Sequence, residues 1–102
     1  MTLDFFMKNY NLLDFKINKA KLIDYKLYLD INYDVYLELI ANGYRPEMDM
    51  DINKTFIFNV KNIKNHTFKK PYNISNVIYK NDELSFELCM IPLTIYFDVV
   101  VK

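Results

Sequence analysis

Apolar and polar positions alternate with a period of two along most of this chain, most cleanly over positions 23–33. There Ile23, Tyr25, Leu27, Leu29, Ile31 and Tyr33 share one parity, and Asp24, Lys26, Tyr28, Asp30 and Asn32 share the other. Successive side chains of a strand point to opposite faces, so the pattern predicts one long half-buried strand. The same alternation covers 48–60, through Met48, Met50, Ile52, Phe56, Phe58 and Val60, with Asn53-Lys54 marking a turn or bulge inside it. Leu84, Phe86, Leu88 and Met90, then Leu93, Ile95, Phe97, Val99 and Val101, predict two strands joined around Ile91-Pro92. Pro92 lacks a backbone donor and is expected in the connection or at a strand's first residue. A further strand over 74–79 reaches Glu83 through Lys80-Asn81-Asp82, where Asn and Asp tolerate the positive φ of a tight hairpin. Phe15 and Ile17 mark a shorter opening strand, and with a single glycine in the chain asparagine is expected to make most of the turns.

Two short helices fit between these strands. Thr2 can cap a helix over 3–9, and Asp34 one over 35–41 that stops at Asn42-Gly43. The fold class is therefore mainly β (α+β): five to six antiparallel strands forming a curved sheet, small sandwich or partly open barrel, with one or two peripheral helices. Leu27, Leu29, Ile31, Phe56, Phe58, Phe86, Leu88, Ile95 and Phe97 are expected to share one core.

Composition narrows the class further. The 102 residues are expected to form a single domain, because a chain of this length cannot supply two separate cores. With 52% apolar residues and as many bases as acids, disorder and a whole-protein nucleic-acid binder or mimic are all disfavoured. Asn, Lys, Ile, Tyr and Phe dominate, and all five use AT-rich codons, so placement carries more information than abundance. Residues 1–8 include Asp4 and lack the pattern of a signal peptide, and the most apolar run, 88–97, is too short to span a bilayer. No membrane association is expected. The single cysteine, Cys89, fits a reducing compartment, so the expected location is cytoplasmic. Three sequons, at Asn53, Asn65 and Asn73, are matches that a chain rich in asparagine makes by chance.

Charge is balanced overall but segregated. Over 28–53 there are six acids, Asp30, Asp34, Glu38, Glu47, Asp49 and Asp51, against one base, Arg45; over 54–80 there are six lysines and no acid. Glu47, Asp49 and Asp51 alternate with Met48 and Met50, which on a continuous strand puts three carboxylates on one face about 7 Å apart. Such a row attracts a cationic partner, whereas calcium needs oxygens gathered by a turning loop. In the basic stretch, Lys61, Lys64, Phe68, Lys69, Lys70 and Tyr72 interleave lysines with aromatic rings, as single-strand binders do, and the plainer reading is a lysine-guarded loop. Enzymatic chemistry finds little support. His66 is the sole histidine and has no acidic neighbour in sequence, Cys89 lies in a strand pattern as an inert thiol, and Gly43 alone cannot build a phosphate loop. Asp14, Asp24 and Asp30 remain the carboxylates that a fold could bring together. No cofactor and no metal are expected.

The segments Leu13-Asp14-Phe15-Lys16-Ile17, Leu27-Tyr28-Leu29-Asp30-Ile31, Phe56-Ile57-Phe58-Asn59-Val60 and Ile95-Tyr96-Phe97 follow one another in an order that resembles small β-domain immunity proteins of bacterial polymorphic toxin systems. In that family a histidine often precedes the Asp of the first segment, where this chain has Leu13. The resemblance implies a cytoplasmic, non-enzymatic protein that neutralises a cognate toxin, such as a basic nuclease, by masking its active site or substrate groove. A phage-encoded inhibitor of a host protein would have the same features. The alternative from another class is a small nucleic-acid-binding module using residues 61–72.

Overall fold

The computed structural model describes residues 1–34 and 51–102; the side chains of residues 33, 34, 51 and 52 lie outside that description. A helix, α1 (Leu3–Asn9), and a short 3-10 turn (Leu12–Asp14) precede the strands β1 (Lys16–Ile23), β2 (Lys26–Asp34), β3 (Asp51–Val60), β4 (His66–Thr67), β5 (Ile74–Lys80), β6 (Glu83–Leu88) and β7 (Ile91–Val101). All seven join one sheet in the order β4-β1-β2-β3-β7-β6-β5, and every neighbouring pair is antiparallel. The sheet is strongly curled into a half-barrel, so that the 3-10 turn ahead of β1 meets β5 at the opposite edge. Bulges in β1, β5 and the β3–β7 pair supply local twist for this curl.

Among the described residues, every fully buried side chain is apolar. Leu22, Leu27, Leu29, Ile31, Phe56, Phe58, Val60, Leu84, Phe86, Leu88, Leu93, Ile95 and Val99 are all buried in one cluster. A half-barrel leaves one side open, and α1 closes it. Thr2 caps the helix by accepting a hydrogen bond from the Phe5 amide on its hydroxyl, at 3.1 Å. Met1 then adds two hydrogen bonds to Val99 of β7: its terminal ammonium donates to the Val99 carbonyl at 2.7 Å, and its carbonyl accepts from the Val99 amide at 2.8 Å. Anchored in this way, α1 drives Phe6 into the concavity, fully buried and 5.4–5.6 Å from the rings of Phe58 and Phe56.

Several sequence expectations change. Residues 23–33 are not one strand, because Asp24 and Tyr25 form a two-residue turn between β1 and β2, with φ of 50° and 63°. Ile23 and Tyr25 consequently lie exposed rather than on the inner face. Asn53-Lys54 does not interrupt β3, which pairs continuously with β2 from Asp51↔Asp34 to Asn59↔Lys26. The β6–β7 turn falls at Cys89-Met90, so Met90 is exposed at 84% instead of facing inward, and Pro92 is the second residue of β7, opposite Glu87. Three hairpins thus close through two residues of positive φ, as type I′ turns require, at Asp24-Tyr25, Asn81-Asp82 and Cys89-Met90. Only one of those six residues is asparagine. Elsewhere asparagine tethers loops instead: the Asn65 carbonyl oxygen accepts from the Asp24 amide, and Asn62 both accepts from the Thr94 amide and donates to the Pro92 carbonyl.

The largest departure is Phe97, expected in the core and 73% exposed. Ile57 pairs with Val100 and Asn59 with Tyr96, so the single residue Phe58 faces Phe97, Asp98 and Val99. Phe97 takes a φ of 60° in this bulge and swings outward, while Ile95 and Val99 on either side remain buried. The helix expected over 35–41 and the residues 48–50 lie outside the described part of the chain.

Candidate functional site

Of the acidic candidates, Asp30 is the one whose side chain is described. It lies on the outer face of β2, half-buried, and accepts a hydrogen bond from the Thr55 hydroxyl at 2.7 Å. Lys19 of β1 is its register partner on the other side. A cation across the ladder and a short hydrogen bond account for Asp30 locally, within a shallow depression lined by Lys19, Lys21, Tyr28 and Thr55.

Asp34 and Asp51 form a different group. They are register partners, the last residue of β2 and the first of β3, so the backbone holds the two positions directly opposite each other. Glu38, Glu47 and Asp49 belong to the segment that runs between them and lie outside the described residues. From Asp34 to Asp51 the sequence carries five acids and one base, Arg45, and both ends of this stretch emerge from one end of the β2–β3 ladder.

The basic candidates divide between surface and core. Lys64, Lys69 and Lys70 are exposed, and Lys61 pairs with Glu83 at 3.5 Å. Phe68 is buried at 6% exposure and Tyr72 packs half-buried against the core, so these two rings do not form a surface platform. His66 is half-buried with its ring 4.8 Å from that of Phe68. Cys89 occupies the β6–β7 turn rather than a strand, and its thiol lies 3.5 Å from the carbonyls of Lys69 and Pro71.

The three carboxylates considered for convergence stay apart along the fold. Asp14 ends the 3-10 turn, Asp24 lies in the β1–β2 turn, and Asp30 follows six residues along β2, roughly 20 Å from Asp24. Among the described residues no group of three or more His, Cys, Asp or Glu side chains is arranged to hold a metal ion. Among the same residues no helix is long and apolar enough to cross a membrane.

Sequence parity missed a second surface. The β7 bulge, the β5–β6 turn and the start of α1 border a groove whose lining includes Leu3, Tyr79, Tyr96 and Phe97. Asp4, Asp82 and Asp98 line it as well. Asp4 pairs with Lys8 one helical turn on, at 2.9 Å, and that hydrogen bond and charge raise the Lys8 ammonium above its usual pKa. The Tyr79 phenol is also raised, by desolvation first and then by the negative charges of Asp4 and Asp82. The signal that could have located this groove was Phe97-Asp98 in a strand otherwise ending in valines, but the sequence does not mark the bulge that brings it together with Asp4 and Asp82.

Comparison of the chain with protein-family models, with curated proteins and with solved structures finds no match.

Proposed function

We propose that this chain is a non-enzymatic protein-binding domain that captures a basic protein partner at the acidic end of its β2–β3 ladder, in the manner of a toxin-neutralising immunity protein or an inhibitor of a host protein. One observation carries the reading: Asp34 and Asp51 are register partners, so the stretch bearing Glu38, Glu47 and Asp49 leaves and re-enters the sheet at one end of the β2–β3 ladder. Acids concentrated in one stretch of a neutral chain produce a local field that steers a basic partner into contact. The resemblance of the sequence segments, in their order along the chain, to small immunity domains supports the same class of partner, a basic toxin such as a nuclease, with the complex formed in the cytoplasm.

Co-expression with the product of a neighbouring gene, followed by co-purification and association kinetics, tests the proposal. The double variant Asp49→Lys, Asp51→Lys should bind such a partner about tenfold more slowly at low salt, with the difference shrinking as salt rises. An unchanged rate at low salt would remove the acidic end from the interface. No observation favours the nucleic-acid reading of residues 61–72, because Phe68 and Tyr72, the rings that would stack on bases, pack inward.

A further inference from the structure

We propose that the aromatic groove beside the β7 bulge receives an arginine side chain of a protein partner, its guanidinium lying on Tyr96 and Phe97 with Asp82 and Asp98 as its carboxylate partners. The groove stands apart from the acidic end of the sheet. Tyr96 pairs with Asn59, eight residues along β3 from Asp51 and roughly 25 Å away, so neither proposal depends on the other.

Neighbouring side chains in a regular strand point to opposite faces, so sequential aromatic rings do not meet. At Phe97 the left-handed φ of 60° breaks that rule and brings the Tyr96 and Phe97 rings to 4.6 Å, tilted by 50°. For a bulky residue this conformation is an outlier that costs on the order of 1–2 kcal/mol. It exposes 73% of a phenylalanine and adds no core contact, and bulges that re-aim a side chain recur beside binding sites.

The chemistry of the occupant follows from the groove's charge. Among the described residues three carboxylates line it and no lysine or arginine does. Lys8 neutralises Asp4, but among the described residues Asp82 and Asp98 have no ion-pair partner. An anion would be repelled, and an apolar side chain would desolvate the carboxylates without pairing them. A planar cation meets both demands, stacking on the rings while its N–H groups reach the carboxylates. Guanidinium suits such a stacked position better than the compact, strongly hydrated ammonium of lysine. The Tyr79 phenol in the groove's lining is raised by desolvation first, and Asp4 and Asp82 add to that shift.

The test is a heteronuclear NMR titration of the whole chain with acetyl-Gly-Arg-Gly-amide, run beside the lysine and citrulline peptides. The arginine peptide should shift the amides of residues 79–82 and 96–98 saturably, with the lysine peptide weaker and neutral citrulline silent. Phe97→Leu, at an exposed site where the fold does not depend on the ring, should weaken binding about threefold or more, and Asp98→Asn should weaken it independently. Shifts spread evenly over the surface, an equal response to lysine or citrulline, or unaltered binding by both variants would overturn the assignment.

Discussion

Truncating Phe6 is the sharpest test of how this fold is closed. The side chain is fully buried, and its ring lies 5.3 Å from Tyr10, 6.1 Å from Phe15, 5.6 Å from Phe56 and 5.4 Å from Phe58. Phe6→Ala removes the plug from the concave face and leaves a cavity lined by aromatic rings, at a cost on the order of 3–5 kcal/mol. Such a loss is a large fraction of the 5–15 kcal/mol typical of a small domain. Phe5 supplies an internal control, since it sits in the same helix, is 53% exposed and gains the same intrinsic helix propensity on change to alanine. Phe5→Ala should therefore stay within about 0.5 kcal/mol of the parent. Equilibrium urea unfolding followed by far-UV circular dichroism, with a common slope for all three proteins, reads the difference directly. A Phe6→Ala loss below ~1 kcal/mol, or equal losses at both positions, would mean that α1 does not dock in the half-barrel, and the account of how the open side is covered would fail.

Three further outcomes follow from the same structure. Met90→Gly should raise stability by about 0.5–1 kcal/mol, because Met90 holds a φ of 67° in an exposed turn that glycine adopts without steric cost; chemical denaturation checks it, and a destabilised variant would contradict the turn. Phe68→Ala should lower stability by about 3 kcal/mol, and an unchanged midpoint in thermal unfolding would return that ring to the surface. Tyr79 should ionise above the usual phenol range, and Asp82→Asn should bring it down, as read from its ring carbon shifts over an alkaline titration. Because its folded pKa is raised, its contribution to stability is complete below the ordinary phenol pKa and is lost as pH rises through the folded value, so Tyr79→Phe should flatten part of the alkaline decline.

Parity made the inner faces of β2, β3 and β6 legible in the sequence. Leu27, Leu29, Ile31, Phe56, Phe58, Phe86 and Leu88 are buried as their spacing predicts, since one slip of register would expose each entire set. The β1–β2 hairpin was hidden for a physical reason. A two-residue turn flips the parity of the inward positions, from Ala20 and Leu22 in β1 to Leu27 and Leu29 in β2, but Ile23 and Tyr25 are themselves apolar and extend the odd-numbered alternation backwards although both lie exposed. Nor do Asp24-Tyr25 and Cys89-Met90 carry the Asn-Gly signature, because antiparallel pairing on both sides holds the positive φ that those residues would not adopt alone. Phe6 escaped the expected core because a seven-residue helix is too short for its periodicity to stand out. The acidic stretch was visible as a charge pattern, but the register of Asp34 against Asp51, which brings its two ends to one place, exists only in the paired sheet.

The β7 bulge shows why a site can lie where a strand pattern reads most simply. Setting three residues against one preserves parity overall, so Ile95, Val99 and Val101 keep to the inner side as though the strand were regular. What changes is confined to Phe97 and Asp98, successive residues that are both exposed where regular alternation would turn the first inward. The strain is tolerable because both flanks are fixed: Ile95 and Val99 are fully buried, and Val99 is hydrogen-bonded to Met1 in both directions. That second clamp ties the bulge to the start of α1, and so places Asp4 beside Tyr96 and Phe97. Closing the half-barrel and assembling the groove are therefore one structural event. Loosening α1 by Phe6→Ala should weaken arginine-peptide binding at the groove together with stability, whereas Phe97→Leu should weaken binding alone. If Phe6→Ala left peptide affinity unchanged under conditions where the chain remains folded, the groove would be built by β7 and the β5–β6 turn without the helix, and the coupling between closure and recognition would be refuted.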